Sequence, residues 1–339
     1  MPSTAKRRWS RELDSEIDGV AFGPKGPILL HGYDPPAGGK WVDNVIPGKL
    51  GAFDRTSGEM LWRVPCEVGY GRGFGAGLGP SGQVVVLGPG QSGHRIVRQS
   101  IDDGELLDVS DIPAFDMAVV TPERVVGVSA GRVFCLGTDD LAASWSYSQE
   151  GQRYHSVALS GDRAFVTYST KQGHGVLVLD AETGGSEGTL LAPAEPRIQG
   201  LVTTGDVVVL LTSDLDRILP PESIGDYAEE LVGHPAGGST DTLSLLALRV
   251  DGRKGDRPLW LKVLETTRLD DLAPASITAD SGKLYLERGT DLFALDVLSG
   301  RPLGEWTVPG LDEQIAWSVA DGAGLLAEET RVSVFELPA

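Results

Sequence analysis

Cysteine is almost absent from this chain: Cys66 and Cys135 are the only two in 339 residues, and they lie far apart. That argues against a disulfide-stapled scaffold and against a cysteine-rich zinc module, and two free thiols are expected. Basic residues are in deficit as well. With 48 acidic against 29 basic side chains and a formal charge of −19, the chain repels phosphate backbones and anionic membrane surfaces, so nucleic acid is not an expected partner. No stretch reaches the roughly 18 consecutive apolar residues of a membrane span, and no membrane insertion is expected. The first residues are basic but run into Trp9-Ser10-Arg11-Glu12, where a secretory signal would place its apolar core, so the expected location is cytoplasmic. Catalytic signatures are scarce: there is no Gly-x-Ser-x-Gly elbow, no Walker-type phosphate loop and no His-x-x-x-His pair. The glycine-rich run 69–75 precedes a strand-like segment, whereas nucleotide loops open onto a helix.

What the chain has in quantity is turn chemistry, with 45 glycines and 21 prolines set between short apolar runs. Ser156-Val157-Ala158-Leu159, then Ser160-Gly161-Asp162, then Ala164-Phe165-Val166-Thr167 reads as a β-hairpin. The same turn recurs at Pro24-Lys25-Gly26, Pro80-Ser81-Gly82, Pro122-Glu123, Gly161-Asp162, Gly205-Asp206, Ser281-Gly282 and Asp321-Gly322. A basic period of about 40 residues, with two more strands after each hairpin, belongs to propellers. The expected fold is therefore all-β, a seven-bladed β-propeller of four-stranded antiparallel blades in a single domain over 1–339, with eight blades as the alternative count. The last apolar run, Val332 to Leu337, lacks an outer strand, and Arg8 to Leu13 is the segment expected to supply it.

The turns between third and fourth strands carry a further pattern, strongest in Ala52-Phe53-Asp54-Arg55-Thr56-Ser57-Gly58-Glu59-Met60-Leu61-Trp62. It resembles the repeat of pyrroloquinoline-quinone (PQQ) propellers, Ala-x-Asp-x-x-Thr-Gly-Lys-x-x-Trp. Degenerate copies stand at Asp180 to Gly184, at Asp296 to Gly300 with Trp306, and at Ser100 to Glu105, with weaker traces before Trp145 and Trp260. The residues themselves give the motif an architectural reading: Asp54, Gly58, Asp180, Gly184, Asp296 and Gly300 make turns, while Trp62 and Trp306 dock between blades. The resemblance implies three kinds of relative: quinone-dependent dehydrogenases, an outer-membrane assembly lipoprotein, and sensory or scaffolding propellers. The first have an adjacent cysteine pair in some members and acids that hold calcium; the second needs a lipid-bearing cysteine near its start. This chain has neither cysteine feature, so no cofactor is expected and PQQ or calcium is disfavoured.

Two intervals are wider than the rest, and their inserted loops, about 32–47 and 213–241, are the expected recognition elements on the face where second-to-third-strand loops emerge. Candidate binding residues are Tyr33 and Trp41 in the first insertion, Tyr227 in the second, and Tyr70, Arg72, Arg153, Tyr154, His155 and Arg197 near the starts of inner strands. Arginines gathered there in an acidic chain would make an anion site. The histidines His31, His94, His155, His174 and His234 fall on four blades without metal-ligand spacing. Asp270-Asp271 and Asp312-Glu313 are paired acids on blade connections. The expected function is a non-catalytic scaffold or sensor that recognises another protein; the alternative is an enzyme working in the central channel, as a quinone-dependent dehydrogenase or a polysaccharide-acting hydrolase or lyase.

Overall fold

The computed structural model describes residues 3–22, 26–34, 46, 48–69, 75–79, 82–90, 92–194, 198–213, 240–252, 257–268 and 275–337. It is all-β, with seven blades of four antiparallel strands each: a seven-bladed β-propeller. Two compact units divide the chain, Ser148–Thr307 and Ser3–Tyr147 with Val308–Ala339.

The second of these units holds four blades. The first blade is Glu16–Phe22, Ile28–Tyr33, Gly48–Phe53 and Met60–Cys66, and the second is Gly75–Leu78, Val84–Gly90, Gly93–Gln99 and Leu106–Ile112. The third is Met117–Val120, Arg124–Ser129, Arg132–Gly137 and Ala143–Tyr147. The seventh is built from both ends of the sequence: Ala316–Ala320, Ala323–Ala327 and Arg331–Glu336 pair in order, and Lys6–Glu12 adds the outer strand. Its register sets Trp9 opposite Val334 and Arg11 opposite Val332, so the expected completion of the last blade is present. Arg8 also reaches Glu336, and Leu13 donates its backbone N–H to Thr330.

The other unit holds the fourth blade (Arg153–Ser160, Arg163–Thr170, Gly173–Asp180, Ser186–Ala194), the fifth (Ile198–Thr204, Val207–Ser213, Thr240–Arg249, Trp260–Arg268) and the sixth (Ala275–Asp280, Lys283–Arg288, Asp291–Asp296, Pro302–Thr307). The hairpin turns at 122–123, 161–162, 205–206, 281–282 and 321–322 each join a first strand to a second, as their sequence requires. The insertions at 32–47 and 213–241 both fall between second and third strands.

The cores lie between blades. Second and third strands are rich in Val, Leu and Ile and are buried on both faces, and within each unit they pack against the adjacent blades. Ile28, Leu30 and Phe53 of the first blade meet Leu325, Val332 and Val334 of the seventh, while Leu29, Leu50 and Trp62 meet Val84, Val86 and Val97 of the second. In the other unit Phe165 and Val176 pack with Val208 and Leu246, and Val209 and Leu245 with Leu284 and Leu295.

The repeat motif explains how blades are keyed together. The Asp54 carboxylate accepts the amides of Thr56 (3.0 Å) and Ser57 (2.7 Å) and the Ser57 hydroxyl (2.9 Å), closing a turn whose Gly58 sits at φ +69°. Asp180 does the same with Glu182 and Thr183, and Asp296 with Ser299. Gly184 (φ 72°) and Gly300 (φ 66°) take the left-handed position. Onto the turns at 54–58 and 296–300, and onto the equivalent turn at 100–104, the preceding blade lays an indole. Trp9 of the seventh blade donates to the Arg55 carbonyl (3.0 Å), Trp62 of the first to Ile101 (2.7 Å), and Trp260 of the fifth to Val297 (2.8 Å). In each case the acceptor is the second residue of the turn, and the ring covers the turn glycine so closely that a Cβ at Gly58, Gly104 or Gly300 would fall 2.6–2.8 Å from it. Two blades without that tryptophan fill the same role with guanidinium groups: Arg98 of the second blade donates to Asp139, and Arg163 of the fourth donates to Val250 (2.9 Å). Trp306 is buried in the sixth blade.

Candidate functional site

Of the nine candidate binding residues, Trp41, Tyr70, Arg72, Arg197 and Tyr227 lie outside the described residues, as do His234, Asp270-Asp271 and nearly all of both insertions. Asp312 and Glu313 form part of a short 3-10 turn, Leu311–Glu313. Tyr33 belongs to the first blade, and Arg153, Tyr154 and His155 are consecutive on the inner strand of the fourth.

Tyr33 is buried, and its hydroxyl donates to Glu16 at 2.5 Å across the first hairpin of its blade. Two residues before it, His31 is 1 % exposed. Its Nε2 lies 2.9 Å from the Val68 carbonyl, which can only accept, and its Nδ1 makes a short contact with the Asp18 carboxylate. Both ring nitrogens therefore face acceptors, the arrangement an imidazolium requires. Burial opposes the charged ring, but the hydrogen bond and charge of the Asp18 carboxylate, with a further hydrogen bond to Cys66, outweigh it and push the His31 pKa up to about 10. Space for this contact comes from Gly48, where a Cβ would fall 2.4 Å from Nε2 and 2.0 Å from the Val68 oxygen. The histidine thus ties the first strand of the blade, its second strand and the segment leading out of the blade. The register shift between Ile17 and Gly19 turns Asp18 toward it.

In the fourth blade Arg153 and His155 are exposed on either side of a buried Tyr154, and a register shift between Tyr154 and Ser156 leaves His155 with no residue opposite it on the second strand. The Tyr154 hydroxyl accepts the Gln149 amide (2.9 Å) and donates to Gln152 (3.1 Å). His155 Nε2 lies 2.8 Å from the Ser169 hydroxyl, and its ring is 5.6 Å from that of His174, tilted by 31°. Arg153 and His174 are both in register with Ser169, one on each side. The three sequence candidates on this strand are thus joined by His174, and Arg153 forms no ion pair with a described acid. Among the described residues no group of three or more His, Cys, Asp or Glu side chains is placed to hold a metal ion. Cys66 and Cys135 are buried and not in a disulfide, and burial raises the Cys135 thiol to about 11.

A feature that the motif reading passed over lies on the outer strands. The first two blades expose paired large apolar side chains, Met60 and Leu61 (both 54 %), then Leu106 and Leu107 (47 % and 46 %), with Val109 at 41 %. The pairs occupy equivalent positions, after Gly58-Glu59 and after Gly104-Glu105, so the signal was present in the repeat itself.

Comparison with models of protein families and with curated proteins gives no match. Among the described residues no helix is long and apolar enough to cross a membrane.

Proposed function

We propose that this chain is a PQQ-like repeat propeller that serves as a non-catalytic, protein-binding scaffold or sensor. The observation that carries this reading is the exposure of paired aliphatic side chains on the outer strands of the first and second blades, on a framework whose turns and indoles are otherwise tightly keyed. Clustered exposed apolar side chains on a rigid fold are a feature of surfaces that another protein covers. The buried polar groups near the sequence candidates fit this reading, because Tyr33, His31 and Tyr154 spend hydrogen bonds on holding strands and turns together. The aspartate turns and docked indoles support the resemblance to PQQ-like repeats. The insertions at 32–47 and 213–241, between strands of the first and fifth blades, are the proposed elements of partner choice.

Affinity capture from native extract, with the intact chain beside one lacking residues 216–238, tests the reading. A stoichiometric protein partner that is lost on deletion while the melting transition is kept is the expected result. An unchanged set of bound proteins would remove the insertion from the proposal. A copurifying quinone, identified by mass spectrometry and visible absorption, would overturn the non-catalytic reading.

A further inference from the structure

The outer strand of each blade presents a row of backbone N–H and C=O groups, an invitation to pair that proteins blunt with lysine, proline, glycine bulges or short strands. Six blades here carry basic side chains, proline or glycine on that strand, or keep it short. The first has Arg63 and Pro65, the fourth Gly188, the fifth Lys262, the sixth Pro302 and Gly304, and the seventh Lys6, Arg7, Arg8 and Arg11. In the third the strand is short, Ala143–Tyr147, and has no aliphatic side chain larger than alanine. The second blade differs. Leu106–Ile112 contains neither proline, glycine, lysine nor arginine; its one irregularity is a register shift between Leu106 and Asp108, and its outer edge has no strand partner among the described residues. It exposes Leu107 and Val109 at alternate positions, and Ile112, on the opposite face, packs toward the third-blade core. Its charge is of one sign: Asp102, Asp103 and Glu105 precede it, Asp108 and Asp111 lie within it, and no basic residue occurs from 102 to 112. Arg98 and Arg95 of the neighbouring inner strand hold Asp108 and Asp111 at 3.4 and 3.5 Å, which orients these acids along the edge.

We propose that this edge accepts an extended strand from a partner protein, with aliphatic side chains opposite Leu107 and Val109 and lysine or arginine opposite Asp108 and Asp111. Backbone pairing would supply the affinity, and the two aliphatic and two acidic positions the register. A second copy of this chain fits poorly, because antiparallel self-pairing about Val109 sets Leu107 against Asp111. The proposal rests on the protein-binding reading and narrows its partner.

The test is fluorescence anisotropy with a labelled peptide, Arg-Lys-Thr-Val-Lys-Val-Thr, beside one with glutamate for lysine and one with proline for the first valine. Saturable binding of the lysine peptide, at least tenfold weaker for either control, is expected. It should be lost in the Leu107→Lys/Val109→Lys double variant and kept in Leu303→Lys, an exposed position on the outer strand of the sixth blade. Equal affinity for the glutamate peptide, no saturable binding, or indifference to the double variant would overturn the proposal. So would concentration-dependent self-association that the double variant abolishes, since a second copy would then own the edge. If a partner captured from extract is still held by the double variant, the scaffold reading stands and this edge is not its site.

Discussion

The outer strands of the seventh and second blades have the same place in their sheets and opposite surfaces. Lys6–Glu12 arrives from the far end of the chain, carries four basic side chains, and is fastened by Trp9 and Arg11 to the turn at 55–58 of the next blade. Leu106–Ile112 follows directly from its own blade, carries acids, aliphatics and one serine, and leaves Leu106, Leu107 and Val109 in solvent. A strand that closes the chain must be bound firmly on one side and refuse partners on the other. The second strand has no closing duty, and its surface is that of an edge left open. Edge character in this molecule is set by residue choice within a constant backbone, and substitution can therefore exchange it.

The severest break in that comparison is removal of residues 1–13. It exposes the edge of Arg331–Glu336 and deletes an indole whose loss alone costs about 3–5 kcal/mol, so thermal unfolding should shift down strongly. Truncation that left the transition unmoved would contradict the closure. His31→Ala comes next, at about 3–5 kcal/mol, because it leaves the partly buried Asp18 carboxylate without its cation. Since the folded-state pKa of His31 is raised, its contribution is full below the ordinary value of 6.5 and is lost as pH rises toward about 10. Denaturant titrations from pH 6 to 10 should show that decline in the parent chain and a flatter profile in the variant.

Gly58→Ala should cost about 2–4 kcal/mol, from a left-handed residue gaining a Cβ against the Trp9 ring. Asp54→Asn and Asp296→Asn should have smaller effects. Hydrogen bonds from the Ser57 amide and hydroxyl, and from the Ser299 hydroxyl and amide, hold these carboxyls below the ordinary 3.8. Their stabilisation is present above that value and disappears as pH falls below it, so acid unfolding curves should converge for parent and variants. Leu107→Lys is the mildest, within about 0.5 kcal/mol, because it adds to an exposed position only the guard that other blades already have.

Much of the fold was legible because turn chemistry is local. Gly161-Asp162 or Asp296 to Gly300 specify their bends without help from distant residues, and the spacing between such bends counts the blades. Even the closing strand was legible, since Trp9 repeats the role of Trp62. Less was visible where the alternation is broken. Register shifts at Asp18 and His155 decide which histidine is buried, and an Asp18-Gly19 pair inside a strand was the available hint. The fourth blade hides its key because Arg163, on another strand, takes over the indole's hydrogen bond. Burial of Tyr33 and Tyr154 depends on tertiary neighbours that no local pattern encodes.

The central claim is that this propeller meets another protein through a surface its own strands leave open, and hydrogen exchange read by mass spectrometry tests it most directly. With the lysine peptide at saturation, amides of 106–112 should gain protection while those of 6–12 stay unchanged. Protection at 6–12 instead, or at neither strand, would contradict the account.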